Sequence, residues 1–583
     1  MEKFRRGGII VIKGHKIIKR RNENKMNNMF QFKLIAFFIV VFFMPCCSCE
    51  GNGGGKSDLE ENEIVDFAEE GGEVFDLLEL DREETGIEEI PVDLPVEDNM
   101  DASDIEIPFP PSPYTEVRGI IHLHSPYSHD ACDGHGIVDG VIDQECLMQL
   151  RNAACLAGFD FVALTDHPAN MQYYSMEEDL LYMPSEGDRL VIQDGEPVSN
   201  IVTCNDGHEI LFTVGFESSA HSMPVCLHRF LSDSELYNGV DDSTPSELVE
   251  RIRVALEEAG AVHSVVHSEG DDISPPRIIE AGFQAMEWTN LHAIFEAVLG
   301  GDVITGNPAD VFNMIKRFED FLLGKSGGPH ADLIFLDFLP MMPLQGFEKW
   351  NEVQRTKPIT GIIGTDAHRN VSIDPVCSGS WQTYCEILAR LFPNTLTLLI
   401  SGGSIVLSDG DRVDSYARMM RWVENRVFVT ELTIDGLRDA LMEGRSYALF
   451  SVFGNPLGFV FDGRSGERYI SMGEEVSGPV VLRIKSPERP EWMGGAPFTE
   501  VDARNAMVRV VLKKIIPSES NPVDIVELND LGESFEQIIE EPGSYYVEVW
   551  IRPFHLQNAL AGHEDLASRE YLYLITNPIK VNM

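Results

Sequence analysis

From Val117 onward the chain alternates short apolar runs with longer amphipathic segments. The runs Gly119–Leu123, Phe159–Leu164, Ile210–Val214, Val262–Val266, Ala285–Trp288 and Ile359–Ile363 have strand length and few polar interruptions, as expected of strands covered on both faces. Glu145–Ala157, Ser246–Ala259 and Asp310–Leu323 read as helices, and Thr244-Pro245-Ser246-Glu247 puts a proline and an acid into a first turn. Strand–helix alternation predicts an α/β fold with a parallel sheet or barrel over residues 114–454. After about Asn455 the pattern changes. Val480–Ile484, Val508–Leu512, Ile525–Leu528, Tyr545–Ile551 and Tyr571–Ile575 are β-type runs split by Gly and Pro turns, which predicts an all-β, sandwich-like domain over 455–583.

Upstream of Val117 neither pattern holds. Lys33 is followed by an apolar run from Leu34 to Met44, closed by Pro45-Cys46-Cys47-Ser48-Cys49. A basic flank, a short apolar run and small residues lay out a secretory leader over 1–49, whereas a membrane span needs ~20 residues. The cysteines resemble a bacterial lipobox. Ser48 suits the position before the cleaved bond, so Cys49 is the expected lipidation site, with Cys46 and Cys47 as alternatives. An uncleaved signal anchor is the other option. The expected location is therefore the bacterial cell envelope, reached by export and held through a lipid anchor in the membrane. Residues 50–113 carry 22 Asp/Glu against Lys56 and Arg82, open on Gly51-Asn52-Gly53-Gly54-Gly55 and end in Pro108-Phe109-Pro110-Pro111-Ser112-Pro113. Such a stretch cannot bury enough apolar surface to offset chain entropy, and it reads as a disordered acidic tether.

Composition narrows the partners. The 95 acidic side chains against 45 basic ones give a formal charge of −50, which argues against a nucleic-acid binder that works by phosphate neutralisation. At 43% hydrophobic the chain can build real cores. Seven cysteines follow Cys49, an odd number without a CxxC pair. That makes a weak case for a disulfide framework, and a Cys377–Cys385 pair is one option.

The residues that follow the apolar strands are of metal-ligand type. His122-Leu123-His124-Ser125-Pro126-Tyr127-Ser128-His129-Asp130 sets two imidazoles two apart at a strand end, so that both face one way. Thr165-Asp166-His167 ends the next strand, Gly215-Phe216-Glu217 another, with His221 just beyond. His267-Ser268-Glu269 ends a fourth, and Gly364-Thr365-Asp366-Ala367-His368 a fifth. Imidazole and carboxylate without cysteine suit zinc, manganese or iron. No phosphate-binding GxxxxGK loop, no GxGxxG turn after a strand and no GxSxG elbow occurs.

In this order the pieces resemble the polymerase-and-histidinol-phosphatase (PHP) metallohydrolases. His122, His124, Ser128 and Asp130 meet the first motif, HxHxxxSxD; Thr165-Asp166-His167 meets the second; Gly215-Phe216-Glu217 lies in the third region; Gly364-Thr365-Asp366-Ala367-His368 meets the fourth, (G/S)xDxH. The resemblance spans about Val117 to Phe450. It implies a distorted (β/α)7 barrel with two or three divalent metal ions. Carried over position by position, it makes ligands of His122, His124, Asp130, His167, Glu217, His267, Asp366 and His368, with Glu217 bridging. A further histidine between Glu217 and His267 is common in relatives; His221 fits best and His228 is the alternative. Ser268 stands where proline is usual, and Asp130 where some members have histidine. Gly444-Arg445-Ser446-Tyr447 and Thr576-Asn577-Pro578-Ile579 look like the exported branch that includes the carbaryl hydrolases.

The expected chemistry is hydrolysis. Clustered cations lower the pKa of a bound water towards ~7 and stabilise charge in the transition state. The expected reaction is in-line attack of a metal-held hydroxide on a phosphate ester of a small-molecule substrate. Asp166, His129 or a metal-bound group would protonate the leaving oxygen; the other role open to Asp166 is to orient His167. Arg369 is the only basic residue adjacent to a motif and is the candidate for binding phosphate oxygens. Tyr127, Asn290 and His292 are candidate pocket residues. So thin a basic supply keeps carbamates, esters and amides open as substrates. A non-catalytic, metal-containing cell-surface binding module is the alternative from outside enzymes.

Overall fold

A computed structural model describes residues 109–171, 173–299, 308–324, 327–373, 390–491 and 498–582. The leader with Cys46, Cys47 and Cys49, the tether up to residue 108, and Cys377 and Cys385 lie outside the described residues. The apolar runs form strands β1 (Thr115–Leu123), β2 (Phe161–Leu164), β3 (Arg189–Gln193), β4 (Glu196–Thr203), β5 (Glu209–Val214), β6 (Ser222–Val225), β7 (Val262–Val265), β8 (Ala285–Asn290) and β9 (Thr360–Ala367). Their order in the sheet is β3–β4–β5–β2–β1–β9–β8–β7–β6, parallel from β5 through β7 and antiparallel at both flanks. The parallel strands are buried along nearly their whole length, so they read as unbroken apolar runs. At the flanks Phe216 N–H donates to Pro224 O (3.1 Å) and Leu227 N–H to Val214 O (2.8 Å), joining the end of β5 to β6.

The sheet does not stop at residue 455. Strand β10 (Glu424–Val429) runs antiparallel to the first half of β1, and β11 (Ser446–Leu449) pairs with β10 on one side and with Tyr571–Thr576 on the other. Through that pairing, Met507–Ile515, Val523–Leu528 and Gly543–Arg552 extend the same large sheet. A separate four-stranded antiparallel sheet joins Arg468–Ile470, Val460–Ser465, Val480–Lys485 and Ser534–Ile539. The buried Asn577 ties this C-terminal region to β9. Its Oδ1 accepts from Gly361 N–H (2.6 Å), and its Nδ2 donates to Gly361 O (3.1 Å) and Ser446 O (2.9 Å). The C-terminal strands therefore bear on the strand that carries Asp366.

Helix α1 (Gln144–Ala157) shows how the connections are pinned. Asp143 caps it, its carboxylate accepting from the N–H of Glu145 and Cys146, and Gly158 ends it at φ 65°, a left-handed conformation that glycine adopts at little cost. Its buried face includes Leu147, Leu150, Ala153 and Ala154. Here the disulfide expectation is corrected: Cys132 pairs with Cys146 and Cys155 with Cys204, leaving Cys226 as a buried thiol among the described residues. The odd count concealed two bridges because this one cysteine lies in the core. Between the bridges, Arg151 is bidentate to Asp188 (2.7 and 2.8 Å), both side chains buried. The loop after His122-Leu123-His124 is thus fastened covalently to α1. Helices α2 (Ser246–Glu258) and α3 (Pro308–Phe321) lie where amphipathic spacing put them. No helix among the described residues is long and apolar enough to cross a membrane.

Candidate metal centre

The register brings the motif residues to one level. Leu123 lies opposite Leu164 on one side and Ala367 on the other, so His124, Asp166, His167 and His368 emerge together at the carboxyl ends of the parallel strands. His122 falls where both of its strand pairings skip a residue, and it takes φ 68°. His267 (φ 49°) and Asp366 (φ 51°) are also left-handed. Non-glycine residues in this region carry a conformational cost and gather at functional sites and bulges.

Two buried carboxylates form that centre. Glu217 Oε2 lies 3.2 Å from His124 Nε2 and 3.7 Å from His122 Nε2, while its Oε1 lies 2.8 Å from His267 Nε2. Asp366 Oδ1 lies 3.1 Å from His122 Nε2 and 3.4 Å from His124 Nε2, and its Oδ2 3.6 Å from His267 Nε2. Half-exposed beside them, Asp130 reaches His167 Nε2 at 3.3 Å and His368 Nε2 at 3.5 Å. Three overlapping groups result, each with donor atoms within 4.8 Å of one another: His122, Glu217, His267 and Asp366; His124, Glu217, Asp366 and His368; His124, Asp130, His167 and His368.

The other ring nitrogen of each histidine is engaged. His122 Nδ1 meets Glu287 Oε2 at 2.6 Å, and His267 Nδ1 lies 3.4 Å from Glu269 Oε1. His167 Nδ1 meets Glu217 O at 3.2 Å and His368 Nδ1 meets Asp366 O at 2.9 Å. His124 Nδ1 meets Ser128 Oγ at 3.1 Å, whose own proton goes to Asp130 Oδ1 at 3.0 Å. Carbonyl and carboxylate oxygens only accept, so for His122, His124, His167 and His368 these contacts place the ring proton on Nδ1 and the lone pair on Nε2, where the carboxylates converge, whereas His267 Nδ1 also faces the Asn290 Nδ2 donor at 3.2 Å. Nε2 of His122, His124 and His368, together with Asp366 Oδ1, are buried without any hydrogen-bond partner. Polar atoms left so cost about 1–3 kcal/mol each. A divalent cation would satisfy them at once, and the donor set suits one.

The protonation pattern agrees. Burial alone would raise Glu217 and Asp366, yet the facing imidazoles, His267 first for Glu217 and His122 first for Asp366, hold both well below the usual carboxylate range. Burial would lower His122 and His267, but Glu287 and Asp366 around the one and Glu217 beside the other hold them well above an ordinary histidine. His124 is pushed down to about 4 by burial and by His368. Burial opposes the rise of His167, which Asp130 and Glu217 carry to about 9.

The remaining candidates are placed as follows. His221 does not enter any of the three groups: its Nδ1 meets Val266 O at 2.9 Å and its Nε2 meets Asp272 Oδ1 at 2.7 Å, so no lone pair faces the centre. His228 lies beside Asp435 (3.6 Å). Asp166 turns both oxygens to Ser125, accepting from its N–H and its hydroxyl at 2.6 Å each, and thereby holds the turn that follows His124. Burial pushes Asp166 up to about 6 against those bonds. Arg369 is half-buried at φ 56° and, among the described residues, forms no ion pair. It lies close enough to act electrostatically on the buried Tyr416, whose hydroxyl donates to His124 O at 2.8 Å. His292 Nδ1 lies 3.4 Å from Asp366 Oδ2. Tyr127 packs edge-on against Tyr174, and Trp288 packs in the core with Phe347 and Phe450. Glu287 is not among the expected ligands; its signal is a lone carboxylate inside the apolar run Ala285–Trp288.

A crystal structure of a two-domain protein from Bacteroides vulgatus, described as containing a predicted PHP-like metal-dependent phosphoesterase, is similar at 14% identity, covering 80% of this chain and 97% of that one with a TM-score of 0.29. No protein-family model and no curated protein sequence matches the chain.

Proposed function

We propose that the chain is a metal-dependent hydrolase of the PHP kind, acting on phosphate esters through two or three divalent cations. The observation that carries this is the convergence of three imidazole Nε2 atoms, of His122, His124 and His267, on the carboxylates of Glu217 and Asp366, with those of His167 and His368 on Asp130 beside them. The sheet order and the two hydrogen bonds joining β5 to β6 support a distorted seven-stranded barrel with the site at its carboxyl-end mouth. The two C-terminal sheets support a sandwich-like module packed onto it.

Bound cations would supply an activated water and polarise the ester. Glu217 and Asp366, each present in two of the donor groups, would help to hold more than one cation, and Asp130 with His167 and His368 would hold a further one. Asp166 fixes the backbone at Ser125 so that His124 keeps its aim. Arg369 offers a guanidinium for phosphate oxygens. The purified chain is expected to contain at least two equivalents of zinc, manganese or iron by elemental analysis, and to turn over a phosphomonoester or phosphodiester in a panel that also includes a carboxylester and a carbamate. Folded protein that neither contains nor takes up metal would end this proposal.

We further propose export and lipid attachment at Cys49. The apolar run after Lys33 and the acidic stretch to Pro113 support it, and two disulfides fit an oxidising compartment. Cells fed a labelled fatty acid should label the wild-type chain and not Cys49→Ala; undiminished label would move the site to Cys46 or Cys47.

A further inference from the structure

His122 lies in β1 and His267 just past the end of β7, and one carboxylate touches both residues. Glu287, fully buried in the middle of β8, sets Oε2 2.6 Å from His122 Nδ1. Its Oε1 accepts from Asn290 Nδ2–H (2.7 Å) and from the backbone N–H of His267 (3.4 Å). Asn290 is itself oriented, because its Oδ1 accepts from Ala293 N–H at 2.6 Å. Among the described residues no lysine or arginine pairs with Glu287. On the adjacent strand β9, a Cβ at Gly364 would overlap the Glu287 carboxylate and crowd His122 Cβ. Glycine in the fourth motif thus makes room for this contact.

We propose that Glu287 is the positioning residue that selects the metal-binding tautomer of His122, an inference that rests on the metal-centre reading above. Both of its oxygens face donors, and a carboxylate can only accept. His122 must then carry its proton on Nδ1, which leaves the Nε2 lone pair facing Glu217 and Asp366. An amide of the same shape cannot do this. With its oxygen turned to Asn290 and the His267 N–H, its NH2 group would face His122 Nδ1, draw the lone pair there and move the proton to Nε2. Turned the other way, its NH2 group would oppose two donors. Through the His267 N–H the same carboxylate also ties the second ligand strand to the first.

The test uses the complete chain. Zinc affinity is measured by competition with a chromophoric chelator, and the unfolding midpoint is measured on metal-free protein, for wild type, Glu287→Gln and Glu287→Asp. Glu287→Gln is expected to bind zinc about 10- to 100-fold more weakly without a lower metal-free midpoint. Glu287→Asp keeps two acceptor oxygens and should bind more tightly than Glu287→Gln, although its shape departs further from the original. If Glu287→Gln does not fold, Glu287→Asp decides alone, with affinity expected within about tenfold of wild type and a larger loss overturning the inference. Glu287→Gln affinity equal to wild type, or above that of Glu287→Asp, also overturns it. Wild type that binds no zinc removes the metal centre as well, whereas tight wild-type binding with an unaffected Glu287→Gln removes the role of Glu287 alone.

Discussion

Replacing Glu217 with alanine is expected to lower turnover of a phosphate ester by about a thousandfold or more, with a matching fall in bound metal. The side chain is buried, and its two oxygens face different partners: Oε2 toward His124 and His122, Oε1 toward His267. It contributes to two of the three donor groups, so its loss weakens more than one cation position. A general collapse is a weaker explanation, because the Glu217 carbonyl, which holds His167 Nδ1, is backbone and stays. The measurement is kcat/KM for the best substrate of the panel, alongside metal content and the metal-free unfolding midpoint. Activity within about threefold of wild type would remove Glu217 from the mechanism. Lost activity with full metal content would instead assign it a role on the reacting groups rather than in holding cations.

Much of this centre could be read from residue order, for a physical reason. A parallel sheet presents its carboxyl ends on one side, so polar residues just past successive apolar runs are forced together; His124, His167, Glu217, His267, Asp366 and His368 lie at such positions, and His122 is the next-to-last residue of its run. The helices around Glu145, Ser246 and Asp310 were equally legible from amphipathic spacing. His221 was not, because sequence does not report that both of its nitrogens are already engaged by Val266 O and Asp272. Glu287 was obscured for the converse reason. It sits mid-strand, and only the register shift in β8 and the glycine across from it reveal where its carboxylate goes. The disulfides were hidden because pairing depends on how α1 lies across the sheet. The continuity of the large sheet past residue 455 depends on a pairing between strands more than a hundred residues apart, which no local pattern carries.

Arg369→Ala is expected to cut kcat/KM for phosphate esters by about a hundredfold while leaving carboxylester turnover, where measurable, within about threefold. The expected effect is electrostatic. The chain carries 95 acidic side chains against 45 basic ones, and the arginines near the site are engaged by carboxylates. Arg412 is held by Asp133 and Asp414, Arg418 by Asp332 and Asp409, Arg421 by Asp332. Arg369 directly follows His368, adopts a left-handed backbone conformation and, among the described residues, has no carboxylate partner. A guanidinium kept out of ion pairs beside a metal-type centre is available to an anionic substrate, and it meets two phosphate oxygens in a geometry that lysine cannot copy. Arg369→Lys should therefore recover only part of the loss. Equal losses for phosphate and carboxylate esters would make Arg369 a structural support for the loop after β9. Unchanged phosphate-ester turnover would remove Arg369 as the substrate's cation, and the neutral carbamates, esters and amides would become the better assignment.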